Sequence, residues 1–262
     1  MIERIIAAAE EAGRIIEGIR ARGFDTLEKG DMSPVTQADE ASDAYLKEVL
    51  LGILPCGWLS EETADSPERF KEKRLWVVDP MDGTREFIKG IPEYAVAIGL
   101  AEEGRAILGV IHNPRNGETL WARRGEGAWL DGRRLQVQET RVLLASRSEI
   151  ARGEFTSFSG LFDVECVGSI AWKMACVAAG RGGLTLSRGP KWEWDVCAGQ
   201  VLVEEAGGIA TDVFGAPLAY NKSFPKVKGI LAGAPEACAR AAALIRNIGA
   251  SDRMDEFDHP RE

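Results

Sequence analysis

Apolar positions follow two rhythms along this chain, and the change falls near residue 140. Ile2, Ile5, Ile6, Ala9, Ala12, Ile16 and Ile19 recur every three or four residues, which predicts an amphipathic helix. Asp25–Met32 is polar and contains glycine, so it reads as a mobile loop. Ser33-Pro34-Val35-Thr36-Gln37-Ala38-Asp39 then leads into a second helix carrying Ala41, Tyr45, Leu46, Val49 and Leu50. Thr36 and Asp39 have the spacing of a capping box. Trp58-Leu59-Ser60 ends at Glu61-Glu62, and Asp65–Lys73 reads as a charged loop. Leu75-Trp76-Val77-Val78 predicts a buried strand. Tyr94–Leu100, Ala106–Ile111, Glu118–Ala122 and Ala128–Leu130 continue as strands, with Asp131-Gly132 as a hairpin turn into Arg133–Val137. This part predicts helices packed on an antiparallel sheet.

Beyond it, strands alternate with helices. Val142–Ala145, Phe162–Val167, Leu184–Leu186, Ile209–Val213 and Lys228–Ala232 read as strands. Ser169–Ala179, Val196–Ala206 and Glu236–Ile245 read as helices. That alternation predicts a layered α/β half. The expected division is residues 1–139, residues 140–250, and a polar, disordered tail over 251–262.

Composition narrows the functions. A formal net charge of -9 offers no basic stripe and argues against binding a nucleic-acid polymer. No stretch has the length of a membrane span, and no leader pattern opens the chain. Cys56, Cys166, Cys176, Cys197 and Cys238 are odd in number and scattered without a CxxC, which predicts buried reduced thiols in a cytoplasmic protein. His112 and His259 are the only histidines, and neither sits in a nucleophile motif. Carboxylates with a metal are the simpler chemistry.

The candidate centre is Asp79-Pro80-Met81-Asp82-Gly83-Thr84. A strand delivers Asp79 into a turn bent by Pro80 and Gly83, with a short helix starting near Thr84. Two carboxylates held so close need a cation, or one must stay protonated. A Gly-Thr pair at a helix start offers N–H groups to a phosphate oxygen. Metal and phosphate at one turn point to phosphate-transfer chemistry. Plain turn chemistry also accounts for Asp82, whereas the alternate acidic positions and closing Glu of an EF-hand are missing. Three other carboxylates have two readings each. Asp39 caps a helix or takes part in catalysis, Glu61 is surface or ligand, and Asp195 is a helix N-cap or a ligand from the far half.

Together these stretches resemble the inositol monophosphatase superfamily of magnesium-dependent, lithium-sensitive phosphatases. The resemblance rests on Ser60-Glu61-Glu62, Asp79-Pro80-Met81-Asp82-Gly83-Thr84, Trp194-Asp195-Val196-Cys197-Ala198-Gly199 and Glu205-Ala206-Gly207-Gly208. It implies a five-layered αβαβα sandwich of the sugar-phosphatase type, α+β in the first half and α/β in the second, and a homodimer. It further implies that Glu61, Asp79 and the Met81 carbonyl hold one Mg2+, and that Asp79, Asp82 and Asp195 hold a second. Asp39 and Thr84 would orient the attacking water, with room for a third, weaker ion, and the Gly83 and Thr84 amides would receive the phosphate.

Within the superfamily, Arg85-Glu86-Phe87, Ser146-Arg147-Ser148 and Leu186-Ser187-Arg188-Gly189-Pro190 are similar to the 3'(2'),5'-bisphosphate nucleotidases. Glu149 stands where that branch often has His, and Gly168-Ser169-Ile170-Ala171-Trp172-Lys173 lies between branches. The expected substrate is a small phosphorylated metabolite, adenosine 3',5'-bisphosphate first. An inositol or sugar monophosphate, or a catalytically silent metal-binding interaction protein, are the alternatives. Lys173 and Arg188 flank the segment leading to Asp195 and are the candidates to hold a second phosphate, as against a solvated helix lysine and a loop arginine.

Overall fold

The computed structural model describes residues 1–28 and 34–248. The predicted tail lies outside these residues, as does most of the predicted loop after Asp25. Helix α1 (Ile2–Arg22) is followed by a two-stranded ribbon, β1 (Thr26–Glu28) against β2 (Pro34–Thr36), where the sequence predicts only loop. Helix α2 (Gln37–Ile53) starts at the expected capping box. Strands β3 (Gly57–Ser60), β4 (Arg74–Asp82), β5 (Ala95–Glu102), β6 (Arg105–Asn113), β7 (Glu118–Arg123), β8 (Gly127–Leu130) and β9 (Arg133–Arg134) form one sheet in chain order, antiparallel except for β3 beside β4. The β8–β9 hairpin turns at Asp131-Gly132, both with positive φ, as its dipeptide predicts. The charged stretch before β4 contains a 3-10 turn, Pro67–Lys71. Short helix α3 (Thr84–Lys89) follows β4.

The second sheet has the order β11-β10-β12-β16-β14, with β10 (Val142–Ala145), β11 (Asp163–Cys166), β12 (Leu184–Ser187), β14 (Ile209–Thr211) and β16 (Ile230–Gly233). Its first three strands are parallel, and β16 runs against both neighbours. Helices α4 (Arg147–Ala151), α5 (Ile170–Ala178), α6 (Glu193–Glu205) and α7 (Pro235–Ile248) complete this part. A small ribbon of β13 (Lys191–Trp192) and β15 (Lys226–Val227) precedes α6 in space.

Alternation along each strand sorts side chains into layers. On β4, Trp76 and Val78 join Ile5, Ala9, Ile16, Leu46 and Leu50 of α1 and α2. Leu75 and Val77 face the other way, toward Met174 and Val177 of α5 and Val201 and Leu202 of α6. The far side of those two helices covers Leu144, Ile230 and Ala232 of the second sheet. Its outer face packs on Ala237, Cys238, Ala241 and Ile245 of α7, with Phe155, Phe158 and Phe162. This is the αβαβα sandwich.

Helix α6 lies unusually close to the first sheet because two strand positions lack side chains. A Cβ at Gly109 would stand 2.2 Å from the Ala198 carbonyl oxygen, and one at Gly99 would stand 2.5 Å from Cys197 Sγ. The small side chains of Ala198 and Cys197 are thus matched by glycines on the facing strands. The cysteines are free, as the lack of pattern implied, but Cys166 is exposed and Cys56 half-buried, so burial holds only for Cys176, Cys197 and Cys238.

His112 is a structural residue. It is buried against Gly13 of α1, with Nδ1 2.9 Å from Thr119 Oγ1. Burial pushes its pKa down to about 4, so between pH 6.5 and 4 the unfolded chain binds a proton that the folded one does not. Stability is therefore lost as the pH falls through that window, by on the order of 3 kcal/mol. Urea unfolding should show the wild type losing that much more than His112→Gln between pH 7 and pH 4; parallel curves would clear His112 of the effect. Gly109→Ala should lower stability by about 2–3 kcal/mol at any pH, because the clash is with backbone. A change below ~0.5 kcal/mol in urea would mean that α6 shifts away freely.

Candidate active site

The cleft is built where β4 ends. Asp79 pairs with Ala97 and Asp82 with Ala95, so Pro80 and Met81 bulge opposite Val96. Strand β4 thus runs on through Asp82 where the sequence predicts a turn after Val78. Pro80 is tolerated because a bulge needs no donor from it. Gly83 follows with φ +99°, and a Cβ there would stand 2.9 Å from the Glu93 carbonyl oxygen. This sharp exit starts α3 at Thr84, as expected.

The four carboxylates come from three places: Asp79 and Asp82 from β4, Asp195 from α6, and Glu61 from the residue after β3. Asp79 is 1% exposed, with Oδ1 accepting the Met81 N–H at 3.0 Å. Asp82 Oδ2 accepts from the Ser169 hydroxyl and the Ala171 N–H, both at 2.6 Å. Asp195 is the third residue inside α6, not its N-cap as one sequence reading has it; its Oδ2 reaches back to the Trp192 N–H at 2.8 Å. Glu61 follows β3, its N–H on the Val78 carbonyl. Burial raises Asp79 well above the usual carboxylate range, and Glu61, Asp82 and Asp195 push it further. Burial does the same to Asp195, reinforced by Asp82 and Glu61. Asp82 is also raised by burial, against the pull of Ser169, Ala171, Lys173 and Lys191. Asp82 and Asp195 keep some surface toward the cleft, yet protein encloses each carboxylate on its other sides.

Oxygen-only donors of this kind suit a hard cation such as magnesium. The unused oxygens of Asp79, Asp82 and Asp195 accept no hydrogen bond among the described residues. No three such side chains among those residues are gathered as a ready-made metal centre. The match is therefore one of donor chemistry and placement, and the four residues fit the ion in that sense.

Asp39 caps its helix and also reaches across to Thr84. Its Oδ2 accepts the Thr36 N–H at 2.7 Å and the Thr36 hydroxyl at 2.8 Å, closing the cap of α2. Its Oδ1 accepts the Thr84 hydroxyl at 2.9 Å, and Thr84 lines the cleft.

The cleft encloses about 640 Å³, room for a phosphorylated metabolite. Glu61, Asp82, Gly83, Thr84 and Asp195 line it, with Lys173 and Lys191 among its cations. Lys173 is 2% exposed, not the solvated helix lysine of the plainer reading. Its pKa is lowered by burial, with the Glu149 carboxylate pulling it back up. Arg188 is half-buried and does not line the cleft; the chain turns past it and presents Lys191 instead. Glu149 is held by the Ser146 and Ser187 hydroxyls. Burial raises it, but Lys191, Lys173 and those hydroxyls outweigh burial and keep it below the usual range. Arg147 also lines the cleft and is paired with Glu93 at 2.5 Å and Glu86 at 3.5 Å. Sequence reasoning missed Lys191, Ser169 and the serine clamp on Glu149; Ser169 had a signal in its place before a helical run, and Ser146 had one in its capping-box spacing to Glu149.

Residues 1–250 match the model of the inositol monophosphatase family. The chain is 32% identical to the fructose-1,6-bisphosphatase/inositol-1-monophosphatase of Thermotoga maritima, covering 79% of this chain and 83% of that one. It is 31% identical to the 3'(2'),5'-bisphosphate nucleotidase CysQ of Aggregatibacter actinomycetemcomitans, over 85% and 88%. Its fold superposes on the extragenic suppressor protein suhB of Bartonella henselae with a TM-score of 0.81 at 29% identity, over 93% and 97%. The chain belongs to the inositol monophosphatase family and is a phosphatase. Among the described residues no helix is long and apolar enough to cross a membrane.

Asp39→Asn should test whether the Thr84 contact matters beyond the cap. Stability should fall by about 1 kcal/mol, the cost of a weakened cap, while phosphatase turnover falls at least about a hundredfold. Turnover within twofold of wild type would leave Asp39 a capping residue only.

Proposed function

We propose that the protein is a magnesium-dependent phosphate monoester hydrolase acting on a small metabolite with a second phosphate, adenosine 3',5'-bisphosphate being the leading candidate. One observation carries this reading: a single cleft sets the carboxylates Glu61, Asp82 and Asp195, with Asp79 buried beside them, next to two lysines that lack anionic partners at contact distance. Among the described residues neither the Lys173 nor the Lys191 ammonium has a hydrogen bond or a carboxylate within ion-pair reach. Both are free to donate to a phosphate.

Glu61, Asp79, Asp82, Asp195 and the Met81 carbonyl would hold magnesium. When bound, magnesium supplies charge neutralisation and Lewis acidity toward the phosphate dianion and the water. The Thr84 oxygen, its proton given to Asp39, accepts a hydrogen bond from the attacking water and aims a lone pair at phosphorus. The water's proton then moves through Thr84 to Asp39 as the P–O bond to the leaving group breaks, and the departing alkoxide takes up a proton from solvent to leave as the alcohol. Gly83 and Thr84 N–H groups hold the phosphoryl oxygens. Lys173 and Lys191 hold the second phosphate, while Arg147 stays with Glu93 and Glu86. The same reading carries lithium inhibition, a homodimer, a cytoplasmic setting, and a third, weaker ion near Thr84.

The alternative, an inositol or sugar monophosphatase of the same chemistry, draws on Glu149. Its negative charge beside Lys173 and Lys191 leaves this wall with a net charge of about +1, less than a second phosphate dianion calls for. The name of the Thermotoga relative spans both substrate classes. A silent metal-binding role would leave the cationic wall and the Thr84–Asp39 pair without use.

Phosphate release should be measured with adenosine 3',5'-bisphosphate, inositol 1-phosphate and fructose 1,6-bisphosphate, with magnesium and with chelator. Activity should vanish in chelator and return with magnesium, highest on the nucleotide. Lys191→Ala should raise KM for the nucleotide about tenfold and hardly change it for inositol 1-phosphate, a contact worth about 1.4 kcal/mol. Arg188→Ala should change neither by more than about twofold. A wild-type preference for inositol 1-phosphate would move the protein to the alternative.

A further inference from the structure

Ser169 combines an unfavourable backbone with an unusual set of bonds. It has φ +56° and ψ 125°, a positive φ in a residue with a side chain. The other such residues, Glu103, Asp131 and Asn221, lie in turns or a loop. Ser169 is buried at the N-cap of α5, a position that ordinarily takes extended, negative-φ backbone. Capping alone does not call for this geometry. Strained backbone of this sort persists where its surroundings hold it, and such places cluster at functional sites.

Its hydroxyl shows what the conformation achieves. It accepts the Trp172 N–H at 2.9 Å, which caps the helix, and donates to Asp82 Oδ2 at 2.6 Å. The Ala171 N–H meets the same oxygen at 2.6 Å. Two short donors from one helix start therefore engage Oδ2 and set the plane of the Asp82 carboxylate. Oδ1 is left as the oxygen for the cleft. The preceding residue keeps the segment in place, since a Cβ at Gly168 would stand 2.4 Å from Glu86 Cγ.

We propose that Ser169 is a positioning residue: its strained backbone turns a helix-capping hydroxyl onto Asp82 and so fixes the oxygen that Asp82 presents to a divalent cation. The inference rests on the reading of Asp82 as a magnesium ligand. Groups that orient a ligand from behind typically affect metal affinity by about 10–100-fold. Because Ser169 is also a cap, loss of stability and loss of positioning must be separated. Glycine separates them. It tolerates positive φ without strain and is a fair N-cap, but it has no hydroxyl.

Magnesium binding to the chelator-stripped, dialysed protein should be measured by calorimetry for wild type, Ser169→Gly and Ser169→Ala, with urea unfolding of each. Ser169→Gly should unfold at a urea concentration equal to or above that of the wild type and bind magnesium about tenfold more weakly. Ser169→Ala should show the same loss of affinity with lower stability. In an Asp82→Asn background, adding Ser169→Gly should change affinity less than twofold. Wild-type affinity in a stable Ser169→Gly would overturn the role of Ser169 and leave the proposed function standing. Absence of magnesium binding by the wild type would overturn that function, and this inference with it.

Discussion

Burying like charges beside one another is the constraint on which the rest of this molecule turns. Asp79, Asp82 and Asp195 are each raised by burial, and Asp79 and Asp195 are raised further by neighbouring carboxylates. Such groups drift apart or take up protons unless the backbone fixes them and a cation joins them. The fold supplies fixed positions from rigid elements. A bulge at Pro80-Met81 turns Asp79 and Asp82 out of one strand, and a helix start holds Asp82 from behind. Helix α6, seated on the bare backbone of Gly99 and Gly109, brings Asp195 across from the C-terminal part of the chain. The glycines are thus part of the active site in an energetic sense, although neither lines the cleft.

Local sequence rules hold where one short-range interaction decides the outcome. The α1 periodicity, the Thr36–Asp39 box and the Asp131-Gly132 hairpin are settled within a few residues, and all appear as expected. Readings failed where a distant partner decides. Pro80 looks like a strand terminator until β5 accommodates it as a bulge. Thr26–Glu28 looks like loop until Pro34–Thr36 pairs with it. The Trp192-Glu193-Trp194 run gives no start signal and points to Asp195 as the helix boundary, whereas Glu193 is buried and anchors the first turn by accepting the Asn221 and Lys222 N–H groups. Arg188 and Lys191 lie three residues apart with no periodicity to rank them, and only the ribbon of Lys191–Trp192 with Lys226–Val227 decides which one faces the cleft.

Asp39 shows how a helix-capping carboxylate can also serve the cleft. A carboxylate has two oxygens, and here one closes the helix cap while the other meets Thr84. The cap holds Oδ1 in place, so the capping role fixes the geometry of the contact with Thr84. Ser169 follows the same logic with a hydroxyl, accepting from its own helix and donating to Asp82. In both cases a helix start gives a polar side chain a fixed orientation that a flexible loop could not.

Charge bookkeeping around the cleft also limits what can bind. Arg147 is paired with Glu93 and Glu86, and Glu93 takes the Gly168 N–H as well, so that arginine braces the rim instead of offering its charge. What remains for a ligand is the Lys173–Lys191 pair, with Glu149 fixed behind it by two serines, together with the exposed Arg85 and Lys89 that also line the cleft. Had Glu149 been free to move, it could have neutralised either lysine directly; held by Ser146 and Ser187, it tempers their field without occupying their donors. An anion that reaches the Lys173–Lys191 wall therefore meets two unspent ammonium groups tempered by Glu149, which favours partners that use hydrogen-bond geometry over those that rely on charge alone. A phosphate ester fits that description at one end and, through the carboxylates and their cation, at the other.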